Sequence, residues 1–185
     1  MPRPVLPRSL RRLPATCLAL LCCVWLVRTV SLVEVSASTR AMLPEAIATT
    51  GIVTTSSTCD TMCRLRRLVS GDRRTITDTT VFELTTETAA AIRARGMAFF
   101  DDARDARGYP LGHLMHDQFA YTPWRQPPTP WGTGLIPADS GLDQDLVEAI
   151  THAAQEPDTY STTNYCGVTL TVIPRKRLVV LTYPG

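Results

Sequence analysis

Residues 166–183, CGVTLTVIPRKRLVVLTY, have the pattern of two β-strands joined by a short polar turn. Apolar and β-branched residues fill both arms, 166–173 and 178–183, and such residues favour pleated, half-buried strands. The four residues between the arms are one proline and three basic residues, which suit a solvent-exposed turn. The sequence therefore predicts a β-hairpin in this part of the chain.

Ahead of the hairpin, hydrophobic periodicity and capping residues predict further strands and helices. In chain order they are a strand at 51–55, a helix that begins near Ser57 and ends at Gly71, one strand or a short hairpin within 74–84, a helix over 86–107 and a helix over 142–155. Glycine in mid-helix costs ~1 kcal/mol relative to alanine, so Gly96 is expected to mark close packing. This order of elements predicts one small α+β domain with a mostly antiparallel sheet, two to three helices and a C-terminal β-hairpin.

The first 33 residues contain no acidic side chain and include an apolar run at 13–27. Four arginines precede the run and Arg28 closes it, which is the layout of a segment recognised for membrane insertion. A membrane-spanning helix needs ~20 residues, and residues 13–33 reach that length. We therefore expect residues 1–37 to be a signal-anchor, a cleaved signal peptide or an organelle-targeting segment. In each case the domain leaves the cytosol for a periplasmic, extracellular or organellar compartment.

The charge of the chain separates this leader from the rest. Residues 1–37 hold five arginines and one glutamate, whereas the remaining 14 basic and 16 acidic residues give a net charge of −2. The rest divides into a Ser/Thr/Ala-rich tether at 38–50 and a single domain at 51–185. Because the excess positive charge belongs to the leader, we expect no nucleic-acid partner.

Three cysteines lie in the predicted domain: Cys59, Cys63 and Cys166. An odd number in an oxidising compartment leaves one thiol free or paired between chains. Cys59 and Cys63 are four residues apart, so a helix places both on one face, and the first hypothesis is a structural disulfide between them or from one of them to Cys166. A redox role is the alternative, because the N-terminus of a helix lowers the pKa of a thiol.

The C-x-x-x-C pair, which follows a strand and a Thr-rich loop, resembles the metal-binding corner of thioredoxin-like copper chaperones for cytochrome oxidase. The resemblance implies copper bound by Cys59, Cys63 and a downstream histidine, for which His152 stands in the right order. Asp60 occupies the position at which that family has proline, and His152 falls within a predicted helix rather than a loop. Copper is therefore an alternative, and the main prediction includes no cofactor.

A second group of potential metal ligands is His113, His116 and Asp117. Two histidines at i, i+3 can reach one metal ion if the segment is helical, and the aspartate can bind the metal or orient a ring. Gly112 beside Pro110 argues against a long helix here. We expect satisfied or exposed loop histidines, with metal binding or a hydrolytic role as the alternatives.

Residues 109–141 contain six prolines and five aromatic residues and form a predicted loop. Tyr121, Trp124, Arg125 and Trp131 are the candidates for an interaction surface, because Trp, Tyr and Arg dominate binding hot spots and proline lowers the entropic cost of ordering. The alternative is that the rings cover the core as an apolar lid.

The sequence contains no G-x-S-x-G motif and no glycine-rich phosphate loop. We therefore expect a membrane-anchored extracytoplasmic accessory or protein-interaction domain that is not an enzyme, or a subunit of a membrane assembly. It would contact the membrane through residues 13–33 and one or more protein partners. The alternatives are a thiol-redox or copper-handling protein that uses the C-x-x-x-C pair, and a secreted hydrolase that uses His113 or His116.

Overall fold

The computed structural model describes residues 37–57, 77–127, 136 and 142–184. Apart from residues 37 and 38, the described residues all belong to one compact unit, Thr39–Gly185. The predicted N-terminal anchor and the helix predicted near Ser57 to Gly71 lie outside the described residues. Within the described part of the chain, no helix is long and apolar enough to cross a membrane.

Five strands form a single antiparallel sheet. They are β1 (Thr49–Ser57), β2 (Thr77–Leu84), β3 (Tyr160–Thr163), β4 (Thr169–Ile173) and β5 (Leu178–Pro184). Their order in the sheet is β1-β2-β5-β4-β3, and each neighbouring pair is antiparallel. The prediction of a small α+β domain with an antiparallel sheet is confirmed, and β4 and β5 are the hairpin at 166–183. β3 was not predicted.

The helices are shorter than the sequence predicts. Those that begin and end within the described residues are α1 (Thr86–Arg95), a 3₁₀ helix (Gly96–Asp102), α2 (His116–Phe119) and α3 (Gln144–Ala153), and residues 37–41 are also helical. The Thr85 hydroxyl accepts a hydrogen bond from the Thr88 N–H at 3.1 Å and so caps α1. Gly96 ends α1 with φ +56°, a conformation that glycine adopts readily, so the single helix predicted over 86–107 is divided there.

The sheet is covered on both faces, because successive side chains of a strand point to opposite sides. Phe82, Val179 and Leu181 belong to a large core that also contains Ile92 of α1 and Phe100 of the 3₁₀ helix. The neighbouring residues Val81 and Val180 contact the second core, which contains Ile150 and Ala153 of α3. The domain therefore has three layers. The sheet lies in the middle, α1 and the 3₁₀ helix cover one face, and α3 covers the other.

Residues 43–47, which the sequence placed in a tether, pack into the large core. Leu43 and Ile47 are both fully buried there. Apolar side chains gain about 1.5–3 kcal/mol each from such burial. The folded domain therefore begins before the predicted boundary at residue 51.

Candidate functional site

Two of the aromatic residues proposed for an interaction surface, Tyr121 and Trp124, lie in the core. Tyr121 is fully buried, and its hydroxyl donates a hydrogen bond to the Met42 carbonyl at 2.8 Å. The half-buried Trp124 has its ring centroid 4.2 Å from that of Phe100, and its Nε1–H donates to the Ala103 carbonyl at 3.0 Å. Burial raises the pKa of Tyr121 above its ordinary value. The surface role predicted for Tyr121 is therefore corrected, because its ring is part of the core, and the ring of Trp124 packs against that core as a lid.

The other two candidates of that predicted surface have different positions. Arg125 is exposed, and its backbone N–H and C=O bond Ser161 at 2.8 and 2.9 Å, so that it extends the β3 edge of the sheet by one bridge. Trp131 lies outside the described residues. A binding role for Arg125 and Trp131 stays a prediction.

A loop at residues 108–115, which we call the leucine loop, is fixed at its base to the first residues of the domain. The Gly108 N–H donates to the Ala41 carbonyl at 2.8 Å, and the Arg107 N–H donates to the Leu43 carbonyl at 3.0 Å. A Cβ added at Gly108 would lie 2.8 Å from the Ala41 Cβ, so only glycine allows the two segments to approach this closely. The base of the loop is therefore closely packed.

The Arg107 side chain strengthens this attachment. Its Nη2 donates to the backbone carbonyls of Pro44, Glu45 and Ile47 at 3.3, 3.4 and 2.8 Å. Hydrogen bonds from a charged donor are stronger than those between neutral groups. The Arg107 guanidinium thus fixes the turn at residues 44–47, which precedes β1, to the start of the leucine loop.

At the tip of the leucine loop, two leucine side chains extend into solvent. Leu111 is 83% exposed and Leu114 is 95% exposed. The backbone that carries them is ordered by local hydrogen bonds, from the His113 N–H to the Pro110 carbonyl at 2.9 Å and from the Met115 N–H to His113 Nδ1 at 3.0 Å. The leucines are therefore displayed by a structured turn.

Aromatic stacking supports the turn from below. The Tyr109 ring lies parallel to that of Phe119, with centroids 3.8 Å apart, and the His113 ring contacts Tyr109 edge-on at 5.1 Å. Phe119 is buried in the large core. The stack therefore connects the exposed loop to the interior of the domain.

His116 closes the other end of the leucine loop. Its Nε2 lies 2.8 Å from Asp105 Oδ1 and its Nδ1 lies 3.1 Å from Asp117 Oδ1. The hydrogen bond to Asp105, and then that to Asp117, raise the pKa of His116 above its ordinary value. Because a carboxylate faces each ring nitrogen, these contacts favour the protonated ring, and His116 could bind a metal only after one of them is released.

The turn between β3 and β4 lies against α2. The Cys166 N–H donates to the Gln118 carbonyl at 3.3 Å, and the Cys166 sulfur lies 3.8 Å from Gln118 Oε1. Cys166 is half-buried with a free thiol, and the adjacent Tyr165 is 87% exposed. The free thiol of Cys166 does not support the alternative disulfide from Cys59 or Cys63 to Cys166. Cys59 and Cys63 lie outside the described residues, so a disulfide between them and their redox role stay predictions.

His152 is separated from the other two histidines by the sheet. It is exposed on α3, with Nδ1 3.5 Å from Glu156 Oε1, and α3 packs on the second core. Tyr109 and Met115 of the leucine loop pack on the large core instead. Across the described parts of the chain, no group of three or more His, Cys, Asp or Glu residues could hold a metal ion. Of the three predicted copper ligands, only His152 is among the described residues, because Cys59 and Cys63 lie outside them.

Comparison with known proteins gives no relative from which to transfer a function. No family model matches the chain, and neither the curated proteins nor the solved structures contain a match. The candidate site must therefore be judged from its own geometry.

Sequence reasoning missed Leu111 and Leu114 because isolated leucines in a loop carry no periodic signal. A usable signal was present, since Pro110 and Gly112 predict a turn and residues 108–115 include no Asp, Glu, Lys or Arg. An uncharged turn with two leucines is an unusual composition for an exposed loop. Asp105 was also missed as the partner of His116. The two residues are eleven positions apart in irregular chain, which has no periodicity from which such a contact could be predicted.

Proposed function

We propose that this chain is a membrane-anchored extracytoplasmic accessory domain, without enzymatic activity, that serves as a subunit of a membrane assembly. Residues 13–33 are its membrane segment in this proposal. The observation that carries it is the leucine loop, in which Leu111 and Leu114 are exposed on an ordered turn. Large contiguous apolar patches on folded domains mark contact sites, and these two leucines are the candidate for such a contact here.

The position of the leucine loop supports an accessory role. Its base is bonded to Ala41, close to the start of the compact unit at Thr39. A contact surface at this end of the domain is near the chain that leads to the membrane segment. The domain would then be fixed at two places, by its covalent attachment and by the loop.

The contacts of the histidines agree with structural roles. Both ring nitrogens of His116 face carboxylates, and His113 Nδ1 accepts the Met115 N–H. Neither arrangement leaves a histidine paired with a nucleophile, which is the geometry that hydrolysis by a serine or cysteine requires. Among the described residues, no contact favours the hydrolase alternative, and the copper alternative depends on Cys59 and Cys63, which lie outside them.

The proposal is tested with the full chain in the membranes of its native cell. We expect the chain to resist extraction by alkaline carbonate, and its domain to be cleaved by protease added on the extracytoplasmic side alone. In mild detergent it should migrate on native gels in an assembly well above its own 20.3 kDa. Release by carbonate, cleavage from the cytosolic side, or migration as a monomer would contradict the proposal.

A further inference from the structure

We infer that Leu111 and Leu114 insert into the interfacial layer of the bilayer that holds residues 13–33, so that the leucine loop is a second, non-covalent membrane contact. The inference rests on the proposed function, because it requires the chain to be held at a membrane. It adds that the leucine loop serves the membrane attachment by contacting lipid, so that contacts with protein partners of the assembly are left to other surfaces of the domain.

The chain length between the membrane segment and the loop supports this contact. Val33, at the end of the apolar run, precedes by only eight positions Ala41, which accepts the hydrogen bond of Gly108. A fully extended chain of this length spans at most ~28 Å, and the path here is shorter because residues 37–41 are helical. Leu111 follows Gly108 by three residues, or at most ~10 Å more. The leucine loop is therefore bonded to the residues by which the domain is joined to the predicted membrane segment, and it is within reach of the bilayer.

The chemistry of the loop suits an apolar environment. Residues 108–115 contain no Asp, Glu, Lys or Arg, so insertion buries no charge. Backbone donors of His113 and Met115 are already paired within the turn, which lowers the cost of removing them from water. The nearest carboxylates along the chain, Asp105 and Asp117, both bond to the His116 ring.

A lipid surface fits the leucine loop better than a folded partner does. Protein interfaces draw most of their binding energy from Trp, Tyr and Arg, set in complementary pockets. Here the ring of Tyr109 is stacked on Phe119 beneath the tip, and the large apolar side chains that this loop exposes to solvent are the aliphatic Leu111 and Leu114. Fluid acyl chains accept such groups without a matching pocket, as they accept the leucines of interfacial helices.

Photo-crosslinking in vesicles tests the inference with the full chain. The photoreactive residue p-benzoylphenylalanine replaces Leu111, Leu114 or, as the control, Val53, which is 51% exposed on β1. Each protein is reconstituted in vesicles of phosphatidylcholine and phosphatidylethanolamine, with and without phosphatidylglycerol, and irradiated. We expect lipid adducts at 111 and 114 several-fold above the yield at 53. Because the loop has no cationic residue, phosphatidylglycerol should not raise the yield.

A second variant shows whether the two leucines act together. With the probe at 114, Leu111→Ser should reduce the lipid adduct several-fold, whereas Val53→Ser should leave it unchanged. A lipid yield at 111 and 114 no higher than at 53 would overturn the inference. A crosslink to a second copy of the chain in vesicles, or to another protein in native membranes, in place of lipid would also overturn it.

The same vesicles separate failure of the inference from failure of the proposed function. If the chain remains in the vesicles after carbonate treatment but forms no lipid adduct at 111 or 114, the loop contact is refuted and the membrane anchor stands. If carbonate removes the chain, the anchor is refuted, and the loop contact that depends on it falls as well.

Discussion

Replacing Gly96 with alanine distinguishes the observed fold from the continuous helix that the sequence predicts. Gly96 has φ +56° and ψ −133°, and its N–H donates to the Ile92 carbonyl at the end of α1. These angles match the first central position of a type II′ turn, which glycine dominates. A side chain at this position is strained even though the added Cβ would meet only the Tyr160 hydroxyl, at an ordinary 3.7 Å.

The expected size of the effect follows from two opposing terms. A residue other than glycine in such a sparsely populated conformation costs roughly 1–3 kcal/mol. Alanine also restricts the unfolded chain, which returns about 0.4–1 kcal/mol of stability. Gly96→Ala should therefore lower the free energy of unfolding by ~1–2 kcal/mol. In an uninterrupted helix the same change would instead raise it by about 1 kcal/mol.

Thermal unfolding of the full chain in mild detergent, followed by near-UV circular dichroism, measures the difference. For a domain of this size the loss corresponds to a fall in Tm of roughly 2–8 °C. Gly51→Ala on β1 is the matched control, because its Cβ would meet no atom within 4 Å and its φ is outside the left-handed region. The control should change stability by less than about 0.5 kcal/mol or raise it slightly. An unchanged or higher Tm for Gly96→Ala would refute the break in the helix.

Three further results are expected. Tyr121→Phe removes a buried hydrogen bond and should cost about 1–2 kcal/mol in a urea titration, whereas Tyr165→Phe, on an exposed ring, should cost nothing measurable. The carboxylates of Asp105 and Asp117 raise the pKa of His116, so their contacts with the ring stabilise the folded domain when the ring is protonated. This stabilisation is complete below the unfolded-state pKa of about 6.5 and is lost as pH rises through the folded-state pKa. The Tm advantage of the native protein over His116→Gln should therefore be largest near pH 5.5 and shrink toward pH 8.5; an advantage that grows with pH would contradict this. The double change Leu111→Ser and Leu114→Ser should alter the free energy of unfolding by less than about 0.5 kcal/mol, and a larger loss would show that the leucines pack on the domain.

The parts of the fold that the sequence predicted are those where a local pattern decides the structure. The β4–β5 hairpin could be recognised because two apolar arms flank the Pro-Arg-Lys-Arg turn. The start of α1 could be recognised because Thr85 precedes a helical segment and caps it. β3 was missed because its four residues, Tyr160–Thr163, are mostly hydroxylated and are recruited to the edge of the sheet by β4.

Other features depend on contacts between distant residues and leave little trace in a single sequence. Leu43 and Ile47 seemed to belong to a polar tether, yet the guanidinium of Arg107, about sixty residues later, draws this segment onto the domain. Tyr121 and Trp124 had the residue types of a binding surface, but the same large rings also fill a core. Sequence alone could not choose between these uses, because the choice depends on what lies beneath each ring.

The structure of the candidate site explains why Leu111 and Leu114 were not predicted from the sequence. The shape of the leucine loop is fixed by groups that are not the leucines: Gly108 at its base, the Tyr109–Phe119 stack below it and His116 at its end. Leu111 and Leu114 project beyond all of them and bury almost no surface in the domain. If their replacement leaves stability unchanged, packing within the domain does not account for two apolar side chains on this loop that are held in water. A contact outside the domain can, and the uncharged character of residues 108–115 makes that contact apolar.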